Sequence, residues 1–91
     1  MSVISVQRDH KRGLDAARDE AELIAQDLSK KFGINYRWES HELKFKGAGA
    51  KGKMSCFADS LSIKLELGFM LRPFKSRIEQ EIHEYLDEFC G

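Results

Sequence analysis

The residues with the most capacity for chemistry lie in the middle of the chain. Gly47, Gly49 and Gly52 spell G-x-G-x-x-G, and Gly47 to Lys53 approaches the phosphate loop G-x-x-x-x-G-K. Such loops hold phosphate because backbone N–H groups face inward and a helix N-terminus follows. Here Met54 stands where Ser or Thr would hold magnesium, and the residues beyond the loop alternate like a strand. A flexible hairpin loop is therefore the favoured reading. Lys44, Lys46, Lys51 and Lys53 surround it with no acid between them, a pattern able to touch an anionic surface. The only aromatics nearby are Phe45, expected inside, and Phe57. A solvated strand face, with lysines guarding a sheet edge, accounts for the four lysines more simply.

The remaining reactive side chains are scattered. His10, His41 and His83 have no His-x-x-x-His spacing, and Cys56 and Cys90 form no Cys-x-x-Cys, so no metal site is expected. Cys56 falls on an apolar strand face and reads as a small core residue, whereas Cys90 reads as an exposed thiol. His41, beside Glu39 and Glu42, reads as a turn residue. Glu79, Glu81, Glu84, Asp87 and Glu88 read as the solvated side of a helix, and no carboxylate is marked as a catalytic group. That helix starts with Lys75 and Arg77 and ends in acids, against the preference of the helix dipole. Phe69, Met70, Leu71 and Phe74 crowd four large apolar side chains into six positions. They either plug the end of a sheet or form an exposed patch for a partner.

Composition narrows the class. The chain has 91 residues, 42% hydrophobic and 33% charged, with 15 basic and 15 acidic side chains. This length predicts one domain over 1–91, burying roughly 60–65% of its unfolded surface. A small core leaves little room for a large internal cavity. Neutral net charge argues against nucleic acid as the main partner. No apolar run is long enough to span a membrane, and the N-terminus has no secretory pattern. Two distant thiols then fit a reduced, cytoplasmic protein.

The elements follow from hydrophobic period. Val3, Ile4 and Val6 predict a strand near 2–8. Leu14, Ala17, Ala21, Ile24, Ala25, Leu28 and Phe32 share one helical face, with Asp9 as the expected N-cap and Gly33 as the C-terminal stop. The row of Ala17, Ala21 and Ala25 is shallow enough to lie close on a sheet. Period two then runs through Ile34–Trp38, Leu43–Phe45, Met54–Ala58 and Leu61–Leu67, with turns expected at Ser40-His41 and Asp59-Ser60. Pro73 suits the first turn of a second helix carrying Phe74, Ile78, Ile82, Tyr85, Leu86 and Phe89. The order β-α-β-β-β-β-α predicts a two-layer α+β sandwich, an antiparallel meander covered on one face by two helices.

The sequence resembles the polyhydroxyalkanoic acid system protein family over nearly its whole length. The resemblance rests on Ile4-Ser5-Val6 with His10, the Ala-rich helix with Leu14 and Ala17, and Phe32-Gly33. It continues through Tyr36-Arg37-Trp38-Glu39, Phe45-Lys46, Leu67-Gly68-Phe69-Met70-Leu71, Ile78-Glu79-Gln80-Glu81-Ile82 and Leu86-Asp87. It implies a cytoplasmic bacterial accessory protein linked to storage-polyester metabolism, with no catalytic residues to carry over. Three roles are weighed. A non-enzymatic accessory protein would touch a polyhydroxyalkanoate granule or a granule-associated protein through Phe69, Met70, Leu71 and Phe74. A small hydrophobic-ligand carrier or enzyme would line a cleft with Tyr36, Trp38, Cys56 and Tyr85. A homodimeric module would work through its assembly. No cofactor, metal or catalytic residue is expected.

Overall fold

The computed structural model describes residues 2–47 and 49–90. Strand β1 (Ser2–Asp9) leads into helix α1 (Leu14–Phe32). Strands β2 (Asn35–Glu39), β3 (Glu42–Gly47), β4 (Ala50–Cys56) and β5 (Ser60–Leu67) follow. A short 3-10 turn at Arg72–Phe74 then opens helix α2 (Lys75–Cys90). The strands form one sheet in the order β1-β5-β4-β3-β2, every pair antiparallel. This is the expected α+β architecture: the meander runs from β2 to β5, and β1 joins it beside β5.

Alternation assigns the two faces. Ile4, Val6, Leu43, Phe45, Met54, Cys56, Leu61, Ile63, Leu65 and Leu67 are buried beneath the helices. Their odd neighbours, such as Lys44, Lys53 and Lys64, point to the uncovered side. Ala17, Ala21 and Ala25 are fully buried and bring α1 close to β4, so that the Cys56 Sγ lies 3.9 Å from the Ala17 carbonyl. A larger side chain in that row would lift the helix off the strand. From α2, Ile78, Ile82 and Leu86 complete the core.

Three local expectations change. Asp9 does not cap α1; it ends β1 opposite Ser60, and the next residue extends the pairing through His10 N–H to the Asp59 carbonyl. The helix instead begins after Gly13, whose φ of 88° makes the turn that a side-chain-bearing residue resists. The glycine loop is shorter than Gly47–Gly52, because β4 begins at Ala50 and Gly52 lies inside it. There a Cβ would sit 2.1 Å from the Lys64 carbonyl oxygen, so glycine permits the close approach of β4 to β5. The Asp59-Ser60 turn shifts by one, as Ser60 already belongs to β5. At the other tight turn, Ser40 occupies the left-handed region at φ 58° between β2 and β3, as the Ser40-His41 reading requires.

Candidate binding surface

Three connections of the chain, α1–β2, β3–β4 and β5–α2, meet at one end of the sandwich. The β3–β4 turn lies beside the segment leaving β5, where the Gly68 N–H donates to the Gly49 carbonyl at 2.6 Å. Leu71 N–H and Arg72 N–H both donate to the Gly68 carbonyl, folding residues 68–72 into a tight turn. The start of α2 and the end of α1 close the same end, with the Phe32 and Phe74 rings 6.1 Å apart.

This geometry divides the apolar cluster. Leu71 turns inward and is 7% exposed, so it belongs to the core and leaves the surface set. Phe69 and Met70 cap the turn at 86% and 76% exposure, the highest among the large exposed hydrophobics, and Phe74 at 43% flanks them. A five-residue turn cannot bury three successive large side chains. Once Leu71 fills the gap under the sheet end, Phe69 and Met70 must project. Plug and patch are both present, on different residues.

Around this tip the side chains are mainly basic. Lys46 and Lys51 face each other across β3 and β4, and Arg72 and Lys75 follow the tip in sequence. Lys30 and Lys31 lie in the last turn of α1 at the same end. Among the described residues, Lys30, Lys46, Arg72 and Lys75 form no ion pair, whereas Lys51 lies 3.9 Å from Glu66. Lys31 is engaged by Glu81 at 2.8 Å and Asp27 at 3.4 Å, tying α1 to α2. Hydrogen bonding from Lys31 holds the Glu81 carboxyl low, while burial raises that of Asp27.

The uncovered sheet face continues the basic character. Its register aligns Arg37, Lys44, Lys53 and Lys64 side by side across four strands. Like charges directly opposite one another oppose pairing, and Glu42 relieves part of this by bridging Lys44 at 3.1 Å and Lys53 at 3.6 Å. An open groove of about 900 Å³ crosses this face, lined by Asn35, Arg37, Lys44, Lys46, Lys51 and Lys53 among others. Lys44, Lys46, Lys51 and Lys53 were legible in sequence. Arg37, Lys64, Arg72 and Lys30 join them only through register and the meeting of turns.

The alternative cleft is not assembled. Tyr36 and Trp38 are fixed to α1 by Glu22, which accepts from the Tyr36 hydroxyl at 2.6 Å, the Trp38 Nε1 at 2.8 Å and the Gln26 amide at 2.9 Å. These bonds hold the Glu22 carboxyl below its ordinary range, the Tyr36 bond most of all. The Arg18 guanidinium lies 4.8 Å over the Trp38 ring. Cys56 is buried in the core, and Tyr85 is half-buried on α2. None of the cavities described is lined by these four residues together.

The thiols and histidines offer no reactive constellation. Burial raises both the Cys56 and Cys90 thiols, which disfavours the nucleophilic thiolate. Cys90 is half-buried rather than fully exposed. His10, also buried, accepts the Arg12 backbone N–H at Nδ1 and packs edge-on against Phe89, with ring centroids 5.0 Å apart. No cluster of three potential metal ligands occurs among the described residues.

Fold and surface together define a small single-sheet α+β protein whose most distinctive feature is a projecting apolar tip. A family model described as "Putative polyhydroxyalkanoic acid system protein" matches residues 4–89. The chain belongs to that family. Comparison with curated proteins gave no match.

Proposed function

We propose that this chain is a non-catalytic accessory protein of polyhydroxyalkanoate metabolism that attaches to a granule surface through Phe69, Met70 and Phe74. The observation that carries this reading is the exposure of Phe69 and Met70 on a hydrogen-bonded turn. Two adjacent large apolar side chains held in water are costly, and covering them returns about 25 cal/mol per Å². Such a tip supports weak, reversible adsorption, strengthened where many copies share a surface. The family's printed description supplies the polyester context.

The test is co-sedimentation of purified protein with polyhydroxyalkanoate particles. Phe69→Ser with Met70→Ser is expected to reduce retention several-fold while leaving the melting temperature within a degree or two, on the usual small effect of exposed substitutions. Retention unchanged by the double substitution overturns the reading. Leu71 is left intact, because its removal would open the core.

A further inference from the structure

The charges that sum to zero over the sequence are sorted along the length of the molecule. Every strand and helix runs between the same two ends. One end holds the Phe69–Met70 tip with Lys30, Lys46, Lys51, Arg72, Lys75 and Arg77. Its acids are few: Glu66 pairs with Lys51, and Glu79 lies in the opening turns of α2. The opposite end carries an excess of acids, with Asp9, Asp15, Glu39, Asp59, Asp87 and Glu88 set against Arg8, Lys11 and Arg12, and Arg8 paired with Asp87. This explains Lys75 and Arg77 at the positive end of the α2 dipole. Their cost to the helix is tolerated where cations are gathered for another reason.

We infer that the tip docks on an anionic phospholipid surface, with Phe69 and Met70 entering the acyl boundary and Lys46, Lys51, Arg72 and Lys75 contacting headgroup phosphates. The inference rests on the reading that the tip binds a surface, and it names the chemistry of that surface. A bare neutral polyester would need the apolar residues alone. The cations around them, of which Lys46, Arg72 and Lys75 form no ion pair among the described residues, match a negatively charged interface, where apolar insertion and electrostatic attraction add. An acidic-lipid surface also orients the molecule, since it attracts one end and repels the other. The other large exposed hydrophobics, Leu23, Phe57 and Val3, are less exposed than Phe69 and Met70 and are not adjacent in sequence.

The experiment is co-sedimentation with vesicles of phosphatidylcholine alone, and of phosphatidylcholine with added phosphatidylglycerol, beside lipid-free polyester particles. Binding is expected on the anionic vesicles, weak on the neutral ones, and reduced by high salt as screening shortens the reach of the cations. Lys46→Ser with Lys75→Ser should lower binding to anionic vesicles by roughly tenfold or more, and Phe69→Ser with Met70→Ser should abolish it. Lys11→Ser, at the opposite end, should leave it unchanged. Equal binding to both vesicle types, or binding unaffected by the lysine pair, overturns the inference. Binding to the polyester particles but to neither vesicle overturns it while leaving the proposed function standing. Binding to no surface overturns both.

Discussion

Glu22 on α1 clamps the edge strand β2 through two aromatic side chains. It gathers a hydroxyl, an indole N–H and an amide, and so holds the edge strand β2 against α1. Hydrogen bonds to an ionised acceptor are worth about 1.5–3 kcal/mol each when buried, and less at a partly exposed site. Glu22→Ala is therefore expected to cost about 1–2 kcal/mol, with Trp38, the sole tryptophan, shifting its emission to the red. Glu22→Gln should fall between. The carboxyl is held below its usual range, so the stabilisation is complete above the unfolded value and fades as pH falls through the lower folded one. An acid titration followed by Trp38 fluorescence should lose wild-type stability below about pH 4.5 more steeply than that of Glu22→Ala. Equal acid sensitivity would show that the clamp does not depend on charge.

Element pairing depends on sites where a side chain has no room. Gly52 lets β4 approach the Lys64 carbonyl, and an added Cβ would sit 2.1 Å from that oxygen and 2.8 Å from the Leu65 Cα. Both obstacles are backbone, so no rotamer change relieves them. Gly52→Ala is expected to destabilise by about 2–3 kcal/mol, read as a drop in denaturation midpoint. A neutral outcome would mean that the two central strands slide apart without loss. The same logic separates Leu71 from its neighbours. It lies under the sheet end and is 7% exposed, whereas Phe69 beside it is 86% exposed. Nearby residues of one apolar run thus stand on opposite sides, Leu71 in the core and Phe69 in solvent.

The whole molecule is about 36 Å long, and its strands connect a basic, apolar end to an acidic one. The proposed docking by the tip would fix which parts stay in water. With a polarity-sensitive label placed by Met70→Cys in a Cys90→Ser background, emission should shift to the blue on anionic vesicles. The same label on native Cys90, a strand length or about 25 Å away, should keep its emission. Equal shifts at both positions would mean that the molecule lies flat or unfolds on the surface. No helix among the described residues is long and apolar enough to cross a membrane.

The elements and their buried faces were legible in the residues themselves. Helical and strand periods are local, and the alternations of Leu61–Leu67 and Ile34–Trp38 leave only one face that can be apolar. The covering of that face by two helices follows because no other element is available. The end of the loop at Gly49 and the strand role of Gly52 were not legible, because each is set by a neighbouring strand rather than by local propensity. The candidate surface was half legible. A run of four apolar residues announced either a plug or a patch, and only the turn geometry placed Leu71 inside and Phe69 and Met70 outside. Its basic surround was visible only in part: Lys46 and Lys51 belong to the lysine group around the loop, whereas Lys30, Arg72 and Lys75 are far apart in sequence and a net charge of zero gives no hint that the fold gathers them there. Composition sums charges, while topology decides at which end of the molecule each one stands.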